Sequence, residues 1–321
     1  MSVANDNGVR LPASLPWQRG IALVIVLWML ALLTVIANSM VFSLRSEVQV
    51  AGNHAASARA EAAADAGVYK AIRELTRPAA DLQRWQGNGL AHEWIFDGVA
   101  VRVTIMDEAG KIDINAAPET LLGGLFRSLG VDETLASSLA DAIIDWRDPD
   151  NLRRLNGAEK EDYIAAGKDY GPRNANFETV EELRLVLGLN DDIFRRAAPL
   201  ITAYSGRPGV SSPVAPRAVL MALPGIAPEQ VDSYLTERQA LQLQGLPAPE
   251  AAFALASAAR PVGDTFSIQV HAVLGDNTAF FREAVAQVTN NPKAPVVILA
   301  WRAPAGGQHI RNLPAPNMAY Q

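Results

Sequence analysis

The stretch GIALVIVLWMLALLTVIANSMVFSL, from Gly20 to Leu44, contains no charged residue and is bounded by Arg19 and Arg45. Residues 21–44 would form a helix of about 36 Å, longer than the roughly 30 Å hydrocarbon core of a bilayer. The alternative, a buried helix of a soluble core, rarely runs this long without polar residues. The stretch therefore predicts a transmembrane segment over residues 21–44. Its membrane residues include Ile21, Leu27, Leu33 and Leu44.

The residues before this segment predict how the chain enters the membrane. A secretory signal peptide usually has a shorter apolar core followed by a small-x-small cleavage site, which this sequence lacks. A better cleavage point lies between Gly20 and Ile21, after a polar leader (residues 1–20) that carries Arg10 and Arg19. The arrangement resembles the type IV pilin and type II secretion pseudopilin superfamily, whose leaders a membrane peptidase cuts after such a glycine. The basic leader predicts a cytoplasmic start, with the chain beyond Arg45 outside.

One position of the membrane segment departs from the superfamily pattern. Most members carry Glu as the fifth residue after the cleavage point, where this sequence has Ile25. A carboxylate in lipid needs a partner, which in pilins is thought to be the N-terminal amine of the neighbouring subunit. A subunit without this carboxylate would suit the distal tip of a fibre. Within the superfamily, its lack is a feature of the K-type minor pseudopilin.

The sequence after the membrane segment predicts a helix and a sheet. Residues 45–77 are rich in Ala and have no Pro until Pro78, so the helix is expected to continue through them. Alternating polar and apolar residues then indicate strands, with Asp97-Gly98 and Gly275-Asp276-Asn277 as turns. The predicted strands cover residues 92–96, 99–106, 111–114, 264–274, 279–288 and 296–301. We expect an α+β fold in which a long N-terminal helix, half transmembrane and half soluble, packs on an antiparallel sheet.

A large all-helical insert separates the two groups of strands. Helical spacing of apolar residues predicts helices at 118–129, 135–146, 178–187, 191–204, 217–223 and 228–241. The stretch SGRPGVSSPVAP, residues 205–216, is typical of a linker and predicts two lobes. The expected organisation is a leader (1–20), a membrane segment (21–44), the pilin-like helix and first strands (45–114), the insert (115–259) and the returning strands with a tail (260–321).

Composition and charge exclude several functions. The 321 residues include 28 Lys and Arg, 34 Asp and Glu, and no Cys, which excludes disulfides and thiolate metal sites. No hydrolase, phosphate-loop, dinucleotide or zinc-protease motif occurs, so we expect no enzyme. The turns Leu223-Pro224-Gly225-Ile226 and Leu187-Gly188-Leu189 are similar to helix–hairpin–helix motifs, which can bind DNA phosphates. Residues 115–257, however, hold 13 basic and 20 acidic residues, a balance that repels phosphate and favours a packing role.

The densest group of carboxylates lies in the insert, between residues 141 and 163. Acids one to three residues apart in a turn, with another about nine residues later, can surround a hard cation. The flexible coordination of Ca²⁺ by six to eight oxygens suits this spacing better than the tight octahedron of Mg²⁺. The alternative is a solvated helix end whose acids pair with Arg147, Arg153 and Arg154.

Four longer strings carry a closer resemblance. They are DEAGKIDINAAPETLL (107–122), AIIDWRDPD (142–150), GAEKEDY (157–163) and NFETVEELRLVLGL (176–189). They are similar to the K-type minor pseudopilin of type II secretion, whose members have a pilin-like sheet interrupted by a helical domain that binds calcium. The resemblance implies a structural calcium site here. The implied ligands are Asp145, Asp148, Asp150, Glu159 and Asp162.

The same resemblance implies a function. We expect a non-catalytic minor pseudopilin at the tip of the type II secretion pseudopilus, anchored once in the bacterial inner membrane with its C-terminal domain in the periplasm. The implied partners are the I- and J-type minor pseudopilins, the major pseudopilin and the secreted substrate. Two alternatives remain at this stage: a minor pilin of a type IV pilus, which usually keeps the Glu that Ile25 replaces, and a membrane-tethered DNA-uptake protein, which the acidic insert disfavours.

Overall fold

The computed structural model describes residues 19–78, 81, 83–244, 246–257 and 264–303. The predicted leader up to residue 18 and the tail from residue 304 lie outside this range. Helix α1 runs from Arg19 to Leu75, and among the described residues it is the one helix long and apolar enough to cross a membrane. Every side chain from Ile21 to Leu44 is exposed. The predicted apolar helix is therefore present.

The chain divides into two compact units, residues 1–58 and 59–321. In the second unit the last turns of α1 are buried against a sheet, because their apolar face is built from small side chains. The fully buried residues of this face are Ala60, Ala63, Ala64, Val68 and Ala71. Alanine has the highest helix propensity and lets the helix axis approach the strands closely. The composition that predicts the helix thus also determines how it packs.

Two contacts fix this helix on the sheet. A Cβ atom added to Gly67 would lie 2.5 Å from Cγ1 of Val270, so the helix backbone is in direct contact with a strand. The guanidinium of Arg282, which is itself buried, donates to Asp65 at 2.6 Å and to Glu61 at 2.8 Å. A backbone contact and a pair of charge-assisted hydrogen bonds therefore hold the helix on the sheet.

The sheet has five antiparallel strands in the order β1-β2-β5-β6-β7. They are β1 (Asn88–Phe96), β2 (Val99–Asp107), β5 (Thr265–Val273), β6 (Ala279–Val288) and β7 (Val296–Arg302). Alternate residues of β2 are buried, as the period of two predicts. The hairpin between β1 and β2 turns at Asp97 and Gly98, with φ of 48° and 75°, as a type I′ turn requires. The two distant groups of predicted strands do form one sheet.

The segment after β2 differs from the prediction, because it does not join this sheet. Strand β3 (Ile112–Asp113) pairs in parallel with β4 (Ile201–Thr202) inside the insert. The chain leaves the main sheet at Asp107, whose side chain accepts a hydrogen bond from the Ala109 N–H and starts a 3₁₀ turn over Glu108–Gly110. The prediction of residues 111–114 as a strand of the main sheet was therefore wrong.

The remaining elements of the insert surround one apolar core. They are α2 (Glu119–Ser128), α3 (Glu133–Arg147), α4 (Lys160–Ala165), α5 (Asp191–Ala197), α6 (Arg217–Leu220) and α7 (Pro228–Leu243). The predicted helix at 178–187 is a 3₁₀ helix over Val180–Leu185, and the one at 191–204 ends at Ala197, before β4 begins. The stretch 205–216 contributes Val210 and Ala215 to the same core, so it does not separate two lobes.

The contact at Gly67 generates a testable prediction about stability. Gly67→Ala should lower the free energy of unfolding by about 1–3 kcal/mol, because its Cβ overlaps Val270 in a packed interface. Gly52→Ala is the matched control, since the same change in the same helix meets no atom within 4 Å. Urea denaturation of the full-length chain in detergent measures both. Equal stability of the two variants would contradict the packing described for the second unit.

Candidate metal centre

The carboxylate-rich loop connects the end of α3 to the start of α4 and is held by hydrogen bonds to Asp141. This buried carboxylate accepts from Arg154 Nε at 2.8 Å and from the backbone and side-chain nitrogens of Asn156 at 3.1 and 3.2 Å. Arg154 also donates to Glu119 at 2.5 Å, which ties the loop to α2. The loop is therefore fixed at its middle by one buried acid of α3.

Asp145 lies one turn further along α3 and is fully buried. Its two carboxylate oxygens each lie 3.3 Å from the backbone N–H of Arg154. A Cβ atom at Gly157 would collide with this carboxylate, so the loop closes over it only because residue 157 is glycine. Burial, with a smaller contribution from Asp148, raises the pKa of Asp145 to about 6. The site therefore stabilises the anion poorly.

Glu159 is the most poorly satisfied acid of the loop. It is 3% exposed, and both of its carboxylate oxygens are buried without a hydrogen-bond partner. Burial raises its pKa to about 7, and repulsion from Asp145, Asp148 and Asp150 adds to the shift. Asp148 is similar, since its Oδ1 has no partner and burial followed by repulsion from Asp150 raises its pKa. Buried acceptors without donors are costly, so these oxygens require either a proton or a counter-charge.

The other two predicted ligands are already hydrogen-bonded. Asp162 accepts the Glu159 N–H at 2.9 Å and Arg153 at 3.0 Å. The first of these bonds lowers its pKa. Asp150 accepts the backbone N–H of Leu152 at 2.8 Å and is exposed. The five predicted ligands thus divide into three with poorly satisfied carboxylates and two with local partners.

Asn174 is a residue of this region that the sequence reasoning missed. Its Oδ1 is buried without a partner, whereas its Nδ2 donates to Asn151 Oδ1 at 2.9 Å. Its backbone is left-handed, with φ of 53°, which Asn tolerates better than most residues. Gly171 packs against Lys160, which brings this segment to the start of α4. Asn174 lies 24 residues beyond Asp150 and outside any acidic pattern, so spacing gave no signal for it.

The residues fit a hard cation by their chemistry. Four buried oxygens without donors come from Asp148, Glu159 and Asn174, and carboxylate and amide oxygens are the ligands that Ca²⁺ prefers. Within the described ranges, no three acidic or histidine side chains are already arranged as a metal-binding group. The carboxylates of the loop raise one another's pKa values. Their side chains are not, however, arranged as a complete set of metal ligands in the described residues.

Comparison with known proteins places this loop within a recognised domain. The family model "Type II secretion system (T2SS), protein K" matches residues 103–206, and the model "PilX N-terminal" matches residues 19–68. A Type II secretion system protein K from Pseudomonas aeruginosa is 26% identical over 69% of this chain and 72% of its own length. The chain therefore contains a type II secretion system protein K domain, and the predicted resemblance to the K-type minor pseudopilins is confirmed.

Other K-family relatives agree with this assignment. The Klebsiella pneumoniae protein K is 30% identical over 59% of this chain and 63% of its own length. A chain of the crystal structure of the GspK-GspI-GspJ complex from the enterotoxigenic Escherichia coli type 2 secretion system superposes with a TM-score of 0.58. At 16% identity the match covers 82% of this chain and 99% of that chain, which shows a shared fold. The predicted α+β architecture is confirmed.

The raised pKa values of Asp145 and Glu159 predict a pH dependence of stability. Asp145 and Glu159 have folded-state pKa values of about 6 and about 7, above their ordinary values of 3.8 and 4.5. The folded state then holds more protons than the unfolded state between about pH 4 and 7, so stability falls as pH rises through this window. In EDTA, the free energy of unfolding should drop by on the order of 2 kcal/mol from pH 4.5 to 7.5.

The control for this measurement is Glu159→Gln. The variant removes the titrating group, so its stability should depend less steeply on pH than that of the parent chain. Urea denaturation followed by tryptophan fluorescence measures both chains, and Trp146, whose ring lies 6.0 Å from that of Tyr163 beside the loop, contributes to the signal. A rise in stability over the same pH range would contradict the described environment.

Proposed function

We propose that this chain is a non-catalytic minor pseudopilin at the tip of the type II secretion pseudopilus, where it supports pseudopilus assembly and protein export across the outer membrane. The observation that carries the proposal is Ile25, an apolar residue at the position where most members of the superfamily carry the Glu that is thought to bind a neighbouring subunit. A subunit without that carboxylate lacks the group that would bind the N-terminal amine of a neighbouring subunit ahead of it. The helical insert favours the same position, because a domain of this size would obstruct further addition.

The membrane placement follows from charge and hydropathy. The exposed apolar part of α1 would anchor the chain once in the inner membrane after cleavage between Gly20 and Ile21. Arg10 and Arg19 would keep the leader on the cytoplasmic side, since basic residues resist translocation. The unit that begins at Arg59, with its sheet and insert, would then lie in the periplasm.

The proposed partners are the I- and J-type minor pseudopilins, followed by the major pseudopilin and a secreted substrate at the tip. The first two are supported by the GspK-GspI-GspJ complex, in which the matching fold occurs.

The proposed cofactor is a structural calcium ion in the loop between α3 and α4. Asp145, Asp148 and Glu159 would hold it, Asn174 would supply a neutral oxygen, and Asp150 lies close enough in sequence to contribute. The ion would supply the positive charge that these buried carboxylates lack. Because the ion would bind only the folded chain, it would stabilise the insert by linkage.

The assembly proposal is tested by co-purification. The full-length chain, tagged and extracted in detergent, should elute with the I- and J-type minor pseudopilins of the same bacterium when the three are co-expressed. Because the proposed contact lies between periplasmic domains, exchange of the detergent should not dissociate the complex. A type IV minor pilin from the same cell is the matched control and should not elute with the chain. Elution of neither I- nor J-type partner would contradict the proposal.

The calcium proposal is tested by thermal unfolding. Added CaCl₂ should raise the melting temperature of the full-length chain in detergent, and EGTA should reverse the shift, because calcium binds the folded state only. Glu159→Gln should lose most of the calcium-dependent shift. Glu161→Gln is the matched control, since it removes the same charge from an exposed neighbour and should keep the shift. An unchanged melting temperature in the parent chain, or equal shifts in both variants, would exclude the site.

A further inference from the structure

The acidic loop between α3 and α4 carries an ion pair whose acid belongs to the predicted ligand set. Arg153 Nη1 donates to Asp162 Oδ1 at 3.0 Å. The other carboxylate oxygen of Asp162, Oδ2, accepts the backbone N–H of Glu159 at 2.9 Å. Glu159 is the buried residue whose own two carboxylate oxygens have no hydrogen-bond partner among the described residues. A guanidinium therefore occupies the acid that is bonded to the backbone of the least satisfied residue of the loop.

The pair between Arg153 and Asp162 lies at the surface. The side chain of Arg153 is 58% exposed and that of Asp162 is 30% exposed. The guanidinium makes one hydrogen bond to this acid in place of the two parallel bonds that give arginine–carboxylate pairs their strength. Solvent screens an exposed pair of this kind, so it contributes little to stability. A competing cation can therefore displace the guanidinium, and the exposed side chain can move into water.

Arg154, the next residue, makes contacts of a different kind. Its Nε atom donates at 2.8 Å to Asp141, whose side chain is 4% exposed, and its Nη2 atom donates to Glu119 at 2.5 Å. These two acids belong to α3 and α2, so Arg154 holds the loop on two helices. Arg153, in contrast, contacts an acid of α4 at the surface. Of the two arginines, Arg153 is the one that can leave its acid without releasing the loop.

The charges of the loop show what the Arg153 contact changes. Burial, followed by repulsion from three neighbouring acids, raises the pKa of Glu159 to about 7. The three acids are Asp145, Asp148 and Asp150. For Asp162 the direction is opposite, since the Glu159 N–H and then Arg153 lower its pKa. Asp162 is thus an ionised carboxylate whose negative charge Arg153 already neutralises.

We propose that Arg153 sets the calcium affinity of the loop by competing with the ion for Asp162. The number of negative charges in a site is one of the properties that determine how tightly it binds Ca²⁺. While the guanidinium is bonded to Asp162, it removes one negative charge from the site, so the loop binds Ca²⁺ more weakly than its acids alone would. The inference rests on the proposed calcium site but not on the tip position or on any partner.

Isothermal titration of CaCl₂ into the full-length chain in non-ionic detergent measures this competition. Arg153→Gln should lower the calcium dissociation constant by about 2- to 5-fold, the factor that corresponds to an exposed ion pair. Lys160→Gln is the matched control, because it removes the same charge from an exposed residue next to Glu159 that has no ion pair among the described residues. It should change the constant less. Equal changes in the two variants, or weaker binding by Arg153→Gln, would overturn the inference.

A double-mutant cycle tests whether the effect acts through Asp162. In the Asp162→Asn background, Arg153→Gln should no longer strengthen calcium binding, because the acid for which the guanidinium competes is gone. A full gain in that background would indicate a general charge effect and overturn the inference. Calcium binding that Arg153→Gln leaves unchanged would contradict this inference alone. If neither the parent chain nor Arg153→Gln binds calcium, the proposed calcium site is wrong and the inference fails with it.

Discussion

The pairing of β2 with β5 is the constraint on which the rest of the second unit, residues 59–321, depends. The two strands are distant in sequence but adjacent in the sheet, and Asp107 lies opposite Phe266 at their shared end. The whole insert therefore leaves and re-enters the sheet at neighbouring positions. Closing so long a loop costs conformational entropy. The hydrogen bonds of the continuous antiparallel ladder between β2 and β5 offset this cost, so the sheet tolerates the insertion. The same sheet binds the alanine face of α1 through Gly67.

Charged contacts then orient the insert on the sheet and position its acidic loop. Arg302 of β7 donates to Glu181 at 2.9 Å and to the Tyr204 hydroxyl at 2.7 Å, which connects the edge of the sheet to the insert. Arg147, at the end of α3, donates to the carbonyls of Ile114 and Ala117 next to the point of entry. Because α3 is fixed at this end, the carboxylates that follow it have a defined place in the insert.

Local patterns predicted the parts of this structure that depend on neighbouring residues. Alternation along β2 and the Asp97-Gly98 turn define the hairpin, and both depend on contacts a few residues apart. The strand at Ile201–Thr202 could not be predicted in this way, because it exists only through pairing with a strand almost ninety residues earlier. The spacing of the acids in the sequence also could not distinguish Glu159 from Asp162. The carboxylate oxygens of Glu159 have no hydrogen-bond donor, whereas Asp162 accepts hydrogen bonds from two donors.

The placement of three arginines shows which acids of the loop have a counter-charge and which do not. A solvated helix end would need Arg147, Arg153 and Arg154 as counter-charges. Arg147 donates to backbone carbonyls, Arg153 to Asp162, and Arg154 to Asp141 and Glu119. All three donate away from Glu159, whose oxygens have no donor among the described residues. A buried carboxylate must be protonated or neutralised, so Glu159 either carries a proton or needs a counter-charge that these three arginines do not supply.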